Sequence, residues 1–171
     1  MGDTMWPFRE AKQKSVATLL IYPTEIWVAQ WSFHNKQYLI ESIAHEQFDS
    51  VLLHEGIIYN LTRVHSFLQN IVTCKHIAIA LDTEEEIEAP QHFQNSLLAL
   101  NSSLTLVTVM SMHAAQLASL EVEDPYDSVL LEYADEYKAE FKVSDCLMDK
   151  SDTKKYGKYK NEVLISRGLL M

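Results

Sequence analysis

Between Asp3 and Tyr156 the chain carries a single glycine, Gly56, and that scarcity limits the loops it can build. Backbone that wraps its N–H groups around a phosphate needs residues without Cβ, because glycine alone reaches positive φ freely and lets a ligand come close to the main chain. One glycine cannot supply such a loop. The Walker pattern, the dinucleotide fingerprint and paired-glycine phosphate hairpins therefore have no place in the body of this sequence. The expectation moves from catalysis to binding.

A chain of 171 residues with 47% hydrophobic content is long enough for one domain with a real core, or for two small subdomains sharing one. Its formal charge of −10 opposes binding to a phosphate backbone, so no nucleic-acid partner is expected. Positive charge gathers only at the end, where Lys150, Lys154, Lys155, Lys158, Lys160 and Arg167 face Asp152 and Glu162. The stretch from Glu121 to Asp149 is the reverse, with ten carboxylates against Lys138 and Lys142. Cys74 and Cys146 read as reduced thiols in a cytoplasmic setting, since a secreted domain of this size would not depend on one bridge. The N-terminus lacks the apolar core and small-residue cleavage site of a secretory signal. Residues 1–15 read as a solvated arm, and no segment approaches the roughly 18–20 apolar residues of a membrane span.

Val16 to Tyr22, Glu25 to Phe33 and Gln37 to Ala44 read as three meandering strands, separated by Pro23-Thr24 and by His34-Asn35-Lys36. The second carries apolar residues on both alternating faces, which predicts cover on both sides. Asn60 is placed as the N-cap of a helix whose stripe is Leu61, Val64, Leu68, Ile71 and Val72. His76 to Leu81 reads as a short buried strand. A meander, a helix and then a strand is the order of an α/β subdomain with a helical crossover. Beyond it, Pro90 opens a predicted helix, Leu104 to Met110 a strand and Met112 to about Leu120 a helix, before a second hairpin over Ser128 to Val143. The segment from Lys150 reads as a mobile basic tail.

Seven histidines invite a metal reading. His45-Glu46 and His54-Glu55 each begin like a zinc-protease helix, but neither has a second histidine four residues on. His65, His76, His92 and His113 are scattered along the chain. Cys74 and His76 would make a nucleophile and base only if their side chains met, and a buried structural cysteine is the plainer reading. Glu84, Glu85, Glu86 and Glu88 lack the alternating ligands and glycine of a calcium loop, and suit a helix start or a surface for a basic partner. Trp27 and Trp31 share a face and suit core packing. The terminal lysines fit either a juxtamembrane cluster at an anionic leaflet or an ordinary polar tail.

The phrase Glu55-Gly56-Ile57-Ile58-Tyr59-Asn60, followed by the Val64 to Val72 helix and the Lys75 to Leu81 strand, resembles the cytoplasmic actin-like domains of the PilM and GspL families of pilus and secretion platforms. The resemblance covers residues 16–82 and continues beyond them as element order. It implies a reduced actin-like (RNase H-like) α/β domain over 16–149, with 150–171 as a juxtamembrane tail. Where ATP-binding members carry aspartate and glycine in the first hairpin, this chain has Ile21-Tyr22-Pro23-Thr24-Glu25. The resemblance thus implies an assembly role with no cofactor, no metal and no catalytic residues. Its implied partners are the assembly ATPase and neighbouring platform proteins at the cytoplasmic face of the bacterial inner membrane, with tethering through a segment after Met171. Glu84, Glu85, Glu86 and Glu88 are the candidate partner contacts. A divergent ATPase using Asp82 or Asp135 with magnesium, and a soluble acidic adaptor, are the alternatives.

Overall fold

Apolar runs broken at Pro23-Thr24 and Asn35-Lys36 fold as the expected meander: β1 (Ser15–Ile21), β2 (Glu25–His34) and β3 (Gln37–Gln47). The computed structural model describes residues 15–55, 57–83, 104–119, 142–147 and 153–171. After the meander come a miniature hairpin, β4 (Leu53–His54) and β5 (Ile57–Ile58), then α1 (Leu61–Ile71) and β6 (His76–Leu81). Next are β7 (Thr105–Ser111), α2 (Met112–Ser119), a 3-10 turn at Val143–Cys146, α3 (Thr153–Tyr156) and α4 (Lys160–Gly168). The predicted helix after Pro90 and nearly all of the hairpin from Ser128 lie outside the described residues; Val143, expected to end a strand, instead opens the 3-10 turn.

The main sheet has the order β3-β2-β1-β6-β7. β1 pairs antiparallel with β2 and parallel with β6, and β6 pairs parallel with β7. This mixed sheet makes the chain an α/β protein. Two central strands, β1 and β6, are apolar at almost every position, as strands covered on both faces must be. Alternation then divides their side chains between two cores. Ala17, Leu19 and Ile21 meet Ile77, Ile79 and Leu81 under Val64, Phe67 and Leu68 of α1. Val16 and Leu20 meet Ala78 and Ala80 on the opposite face, under Met112 and Ala115 of α2 and Ile165 of α4.

β2 is covered on both sides, as its composition predicts. Ile26 and Val28 belong to the α1 core, whereas Ala29 and Trp31 join a third cluster with Ile40, Val143, Cys146, Leu147 and Val163. The fully buried Trp31 indole donates to Thr18 Oγ1 at 2.9 Å. Thr18 is itself fully buried, so the pair satisfies two polar groups that water cannot reach. Gln30 faces the α1 side and ties down that helix's end. Its amide donates to Ile71 O at 3.0 Å, and its carbonyl accepts from Thr73 N at 3.1 Å.

Asn60 does occupy the N-cap position of α1, yet its side chain does not cap the helix. It adopts φ 56° and its amide donates to Val51 O at 3.3 Å, so it braces the preceding hairpin instead. Val72, placed on the helical stripe by the sequence reading, is extended and lies one residue beyond the helix, where its N–H still reaches Leu68 O.

The terminal segment differs most from expectation. Its apolar residues Val163, Leu164, Ile165 and Leu169 are buried, so the mobile tail is in fact a structural layer. Lysines at 155, 158 and 160 lie on the exposed or half-exposed side of this segment, and charge density had hidden the amphipathic pattern behind them. α4 approaches α2 so closely that a Cβ on Gly168 would lie 1.6 Å from Ala115 O and 2.5 Å from Ala115 C. Main-chain atoms cannot rotate away. The helices could admit Gly168→Ala only by separating, at a cost of about 1–3 kcal/mol or more for overpacking. Thermal and denaturant unfolding should register that loss, while Gly157→Ala, where an added Cβ meets nothing within 4 Å, should leave the midpoint essentially unchanged.

Candidate functional site

The turn between β1 and β2 is where a phosphate would be held if this chain bound one as the glycine-containing hairpins do. Here Tyr22 N–H closes the turn on Glu25 O at 2.9 Å, and Pro23 has no N–H to offer. Its carbonyls are also engaged. Pro23 O accepts from Leu52 N at 2.7 Å and Leu53 N at 3.4 Å, and Thr24 O accepts from Phe48 N at 2.8 Å. The turn thus works as an acceptor surface that anchors residues 48–53. A phosphate requires donors, which is the opposite polarity.

Asp82 follows β6 at the same end of the sheet, where α/β proteins commonly place ligands. Its backbone N–H is bonded to Ile21 O at 3.0 Å. Burial, reinforced by Glu162, Asp82 and Glu25, pushes the Tyr22 hydroxyl far above its ordinary value. The field at this edge is therefore negative. Glu25 also accepts from the Trp27 indole at 3.3 Å and contacts His45 Nε2 at 2.9 Å, with His45 stacked on Trp27 at 4.2 Å between ring centroids. Trp27 in turn meets Tyr159 edge-on at 4.9 Å. The two tryptophans of β2 are thus packing elements, with Trp31 wholly buried.

Among the described residues no group of three or more histidine, cysteine, aspartate or glutamate side chains converges on a point. His54 Nε2 is 3.8 Å from its neighbour Glu55, both well exposed. Asp135 and His92 lie outside the described residues, as do Gly56 and the candidate contacts Glu84, Glu85, Glu86 and Glu88. The Cys74 thiol meets the backbone carbonyl of His76 at 3.5 Å. Burial raises its pKa, opposed by hydrogen bonds involving Ser15 and nearby backbone. Both cysteines are free.

The hairpin β4–β5 provides a different kind of site. Leu52 and Leu53 are buried beneath it, held by the two N–H bonds to Pro23, and Tyr59 N returns to Leu52 O at 2.7 Å. Above that anchor Val51, Ile57 and Tyr59 remain 49%, 57% and 45% exposed. A shallow depression of about 560 Å³ lies among Val51, His54, Tyr59 and Asn60. Three of the five large exposed apolar residues among those described are gathered on this one element. Grouping of this kind marks contact surfaces, whereas isolated exposed apolar residues are ordinary. Sequence reasoning had singled out Ile57 and Tyr59 only as part of a family phrase and had passed over Val51. The usable signal was density: Val51-Leu52-Leu53 and Ile57-Ile58-Tyr59 carry more apolar groups than a two-stranded hairpin can bury on one face.

Cys146 allows the packing beside Trp31 to be followed by titration. Burial is the main cause raising its thiol from 9.0 to about 11, against the lowering influence of Arg167. Between pH 9 and about 11 the unfolded chain loses this proton while the folded chain retains it, so stability falls as pH rises across that window. Denaturant unfolding from pH 8 to 11 should show the decline, with a shallower slope in Cys146→Ala.

No protein family, no curated protein and no solved structure matches this chain.

Proposed function

We propose that this chain is a non-enzymatic platform subunit of a type IV pilus or type II secretion machine, with a reduced actin-like domain of the PilM and GspL kind. The observation that carries the reading is the β4–β5 hairpin. The Glu55 to Asn60 phrase that bears the resemblance is also the segment that exposes Ile57 and Tyr59 beside Val51. The order of a three-stranded meander, a helix and a buried strand parallel to β1 supports the scaffold part of the proposal. Within that group, the basic segment from Lys150 resembles that of the N-terminal cytoplasmic part of the bundle-forming pilus component BfpC.

In this reading the hairpin docks on the assembly ATPase or on a neighbouring platform protein at the cytoplasmic face of the inner membrane. Its apolar residues supply the contact energy, and the net charge of −10 steers the encounter with a basic surface. The hairpin is braced to the sheet through Pro23, so motion of a bound ATPase is passed to the sheet and not lost in a loose loop. The first turn, with its carbonyls engaged and a negative edge beside it, takes a structural role where ATP-binding relatives would hold phosphate.

Capture of the cognate assembly ATPase by the folded chain tests the proposal. Ile57→Ser with Tyr59→Ser should weaken capture at least tenfold, as loss of interface anchors does at about 2 kcal/mol each, with the circular dichroism spectrum unchanged. Absence of capture by the folded wild-type chain would overturn the assignment. Calorimetry with ATP and magnesium separates this reading from a divergent nucleotide hydrolase: no heat is expected at millimolar ATP, and a saturable signal would favour the hydrolase.

A further inference from the structure

The rim of the β4–β5 patch carries charge at both ends. Arg63 is the one lysine or arginine between Lys36 and Lys75, and it stands in the first turn of α1, beside the patch. Its Nη1 donates to Ser50 Oγ at 3.0 Å, and Asn60 Nδ2 approaches the same oxygen at 3.5 Å. Ser50 precedes Val51, and Asn60 lines the depression together with Val51, His54 and Tyr59. The guanidinium is thus tied to the base of the apolar surface through one hydroxyl.

This position opposes the helix that carries it. The positive end of a helix dipole disfavours a cation in the first turn by about 0.3–1 kcal/mol. α1 has no acid in that turn, and the Asn60 amide is turned to Val51 O and does not cap the helix. What fixes Arg63 is lateral: besides the Ser50 bond, its Cζ lies 5.2 Å from the centroid of the Phe48 ring. Stacking occupies the face of the planar group and leaves the edge of its donor fork to a carboxylate. Among the described residues Arg63 makes no salt bridge. An exposed, positioned cation therefore stands at one end of the patch. At the other end, the exposed Glu55 lies 3.8 Å from His54.

The patch also limits the shape of what it meets. β4 and β5 have two residues each, too short an edge to template an added strand, so the contact depends on side chains. Val51, Ile57 and Tyr59 suit the apolar stripe of a helix, whose anchors recur every three or four residues. Val51 to Glu55 spans at most about 13 Å. That is roughly two to three turns of helix, so groups at the two ends of a short stripe fall near Arg63 and Glu55.

We propose that the partner element received by the hairpin is an amphipathic helix whose stripe covers Val51, Ile57 and Tyr59 and whose flanking glutamate or aspartate pairs with Arg63. The inference rests on the hairpin being the docking surface of the platform reading, and it names the chemistry of what docks there. A lysine in place of that acid meets Arg63 as a like charge, and a neutral side chain leaves the guanidinium without a counter-charge at a rim the partner shields from water. A second acid at the far end of the stripe faces Glu55, so a cation belongs there. The net charge of −10 draws the partner's wider basic surface over distance; the Arg63 pair acts at contact and sets which way the helix lies.

Fluorescence anisotropy titrations of the full chain with three synthetic helices test this. All three share one leucine stripe and a lysine at one end, and carry glutamate, glutamine or lysine at the other. The glutamate helix should bind at least threefold more tightly than the glutamine helix and at least tenfold more tightly than the lysine helix. Arg63→Gln should level the three affinities, and Arg63→Glu should reverse their order. A merely structural role for Arg63 would weaken all three helices alike and overturns the proposal, as do equal affinities for the wild-type chain or no binding of any helix. Capture of the assembly ATPase is scored separately. Capture that Arg63→Glu does not weaken overturns the acidic anchor and leaves the platform reading standing, whereas the expected order of helices with no ATPase capture sustains the anchor and removes the platform.

Discussion

The central strands β1 and β6 have no face that tolerates water. Each of Val16, Ala17, Leu19, Leu20 and Ile21 is buried, as are all residues from Ile77 to Leu81. A side chain of this size gives up about 1.5–3 kcal/mol if left exposed, so neither face of the sheet can stay uncovered. The rest of the architecture follows from that requirement. α1 covers one face, α2 and α4 cover the other, and Gly168 is the point at which the latter two come close enough to share it.

Three hydrogen-bonding groups of the sheet and its first turn orient the elements around it. Thr18 receives the Trp31 indole, and Gln30 reaches off the sheet to secure the end of α1. Pro23 does the same for the hairpin by accepting two N–H groups through its carbonyl. In each case a strand or its turn supplies a fixed hydrogen-bonding group, and a neighbouring element is oriented by it. This is how a short two-stranded hairpin, too small to be stable alone, can hold Val51, Ile57 and Tyr59 in a defined arrangement.

Strands were the most legible part of the sequence. Val16 to Tyr22, Glu25 to Phe33, Gln37 to Ala44 and His76 to Leu81 each lie within a residue or a few of the observed elements, because period-two patterning and turn residues act locally. The cover of β2 on both faces could be read for the same reason. Features set by three-dimensional neighbours were not. Asn60 has the composition of a cap but is diverted by Val51 O, and the lysines around Tyr156 and Tyr159 concealed a helix whose buried face comes into view only against α2. The candidate surface was half legible. Apolar density around Gly56 was present in the sequence, but the anchor that leaves Val51 outside depends on Pro23, far away in the chain.

The late position of α4 bears on how this protein is made. Val16 and Ile165 belong to one cluster, yet roughly 150 residues separate them, roughly 8–30 s of synthesis at ribosomal rates. During that interval the meander, α1, β6 and then α2 emerge, and one face of β1 and β6 lacks the part of its cover that α4 supplies. The nascent sheet is thus a transient sticky plate whose closure is vectorial: it waits for α4. The same lysines that resembled a simple basic tail lie on that layer's outer side, keeping it soluble until it docks.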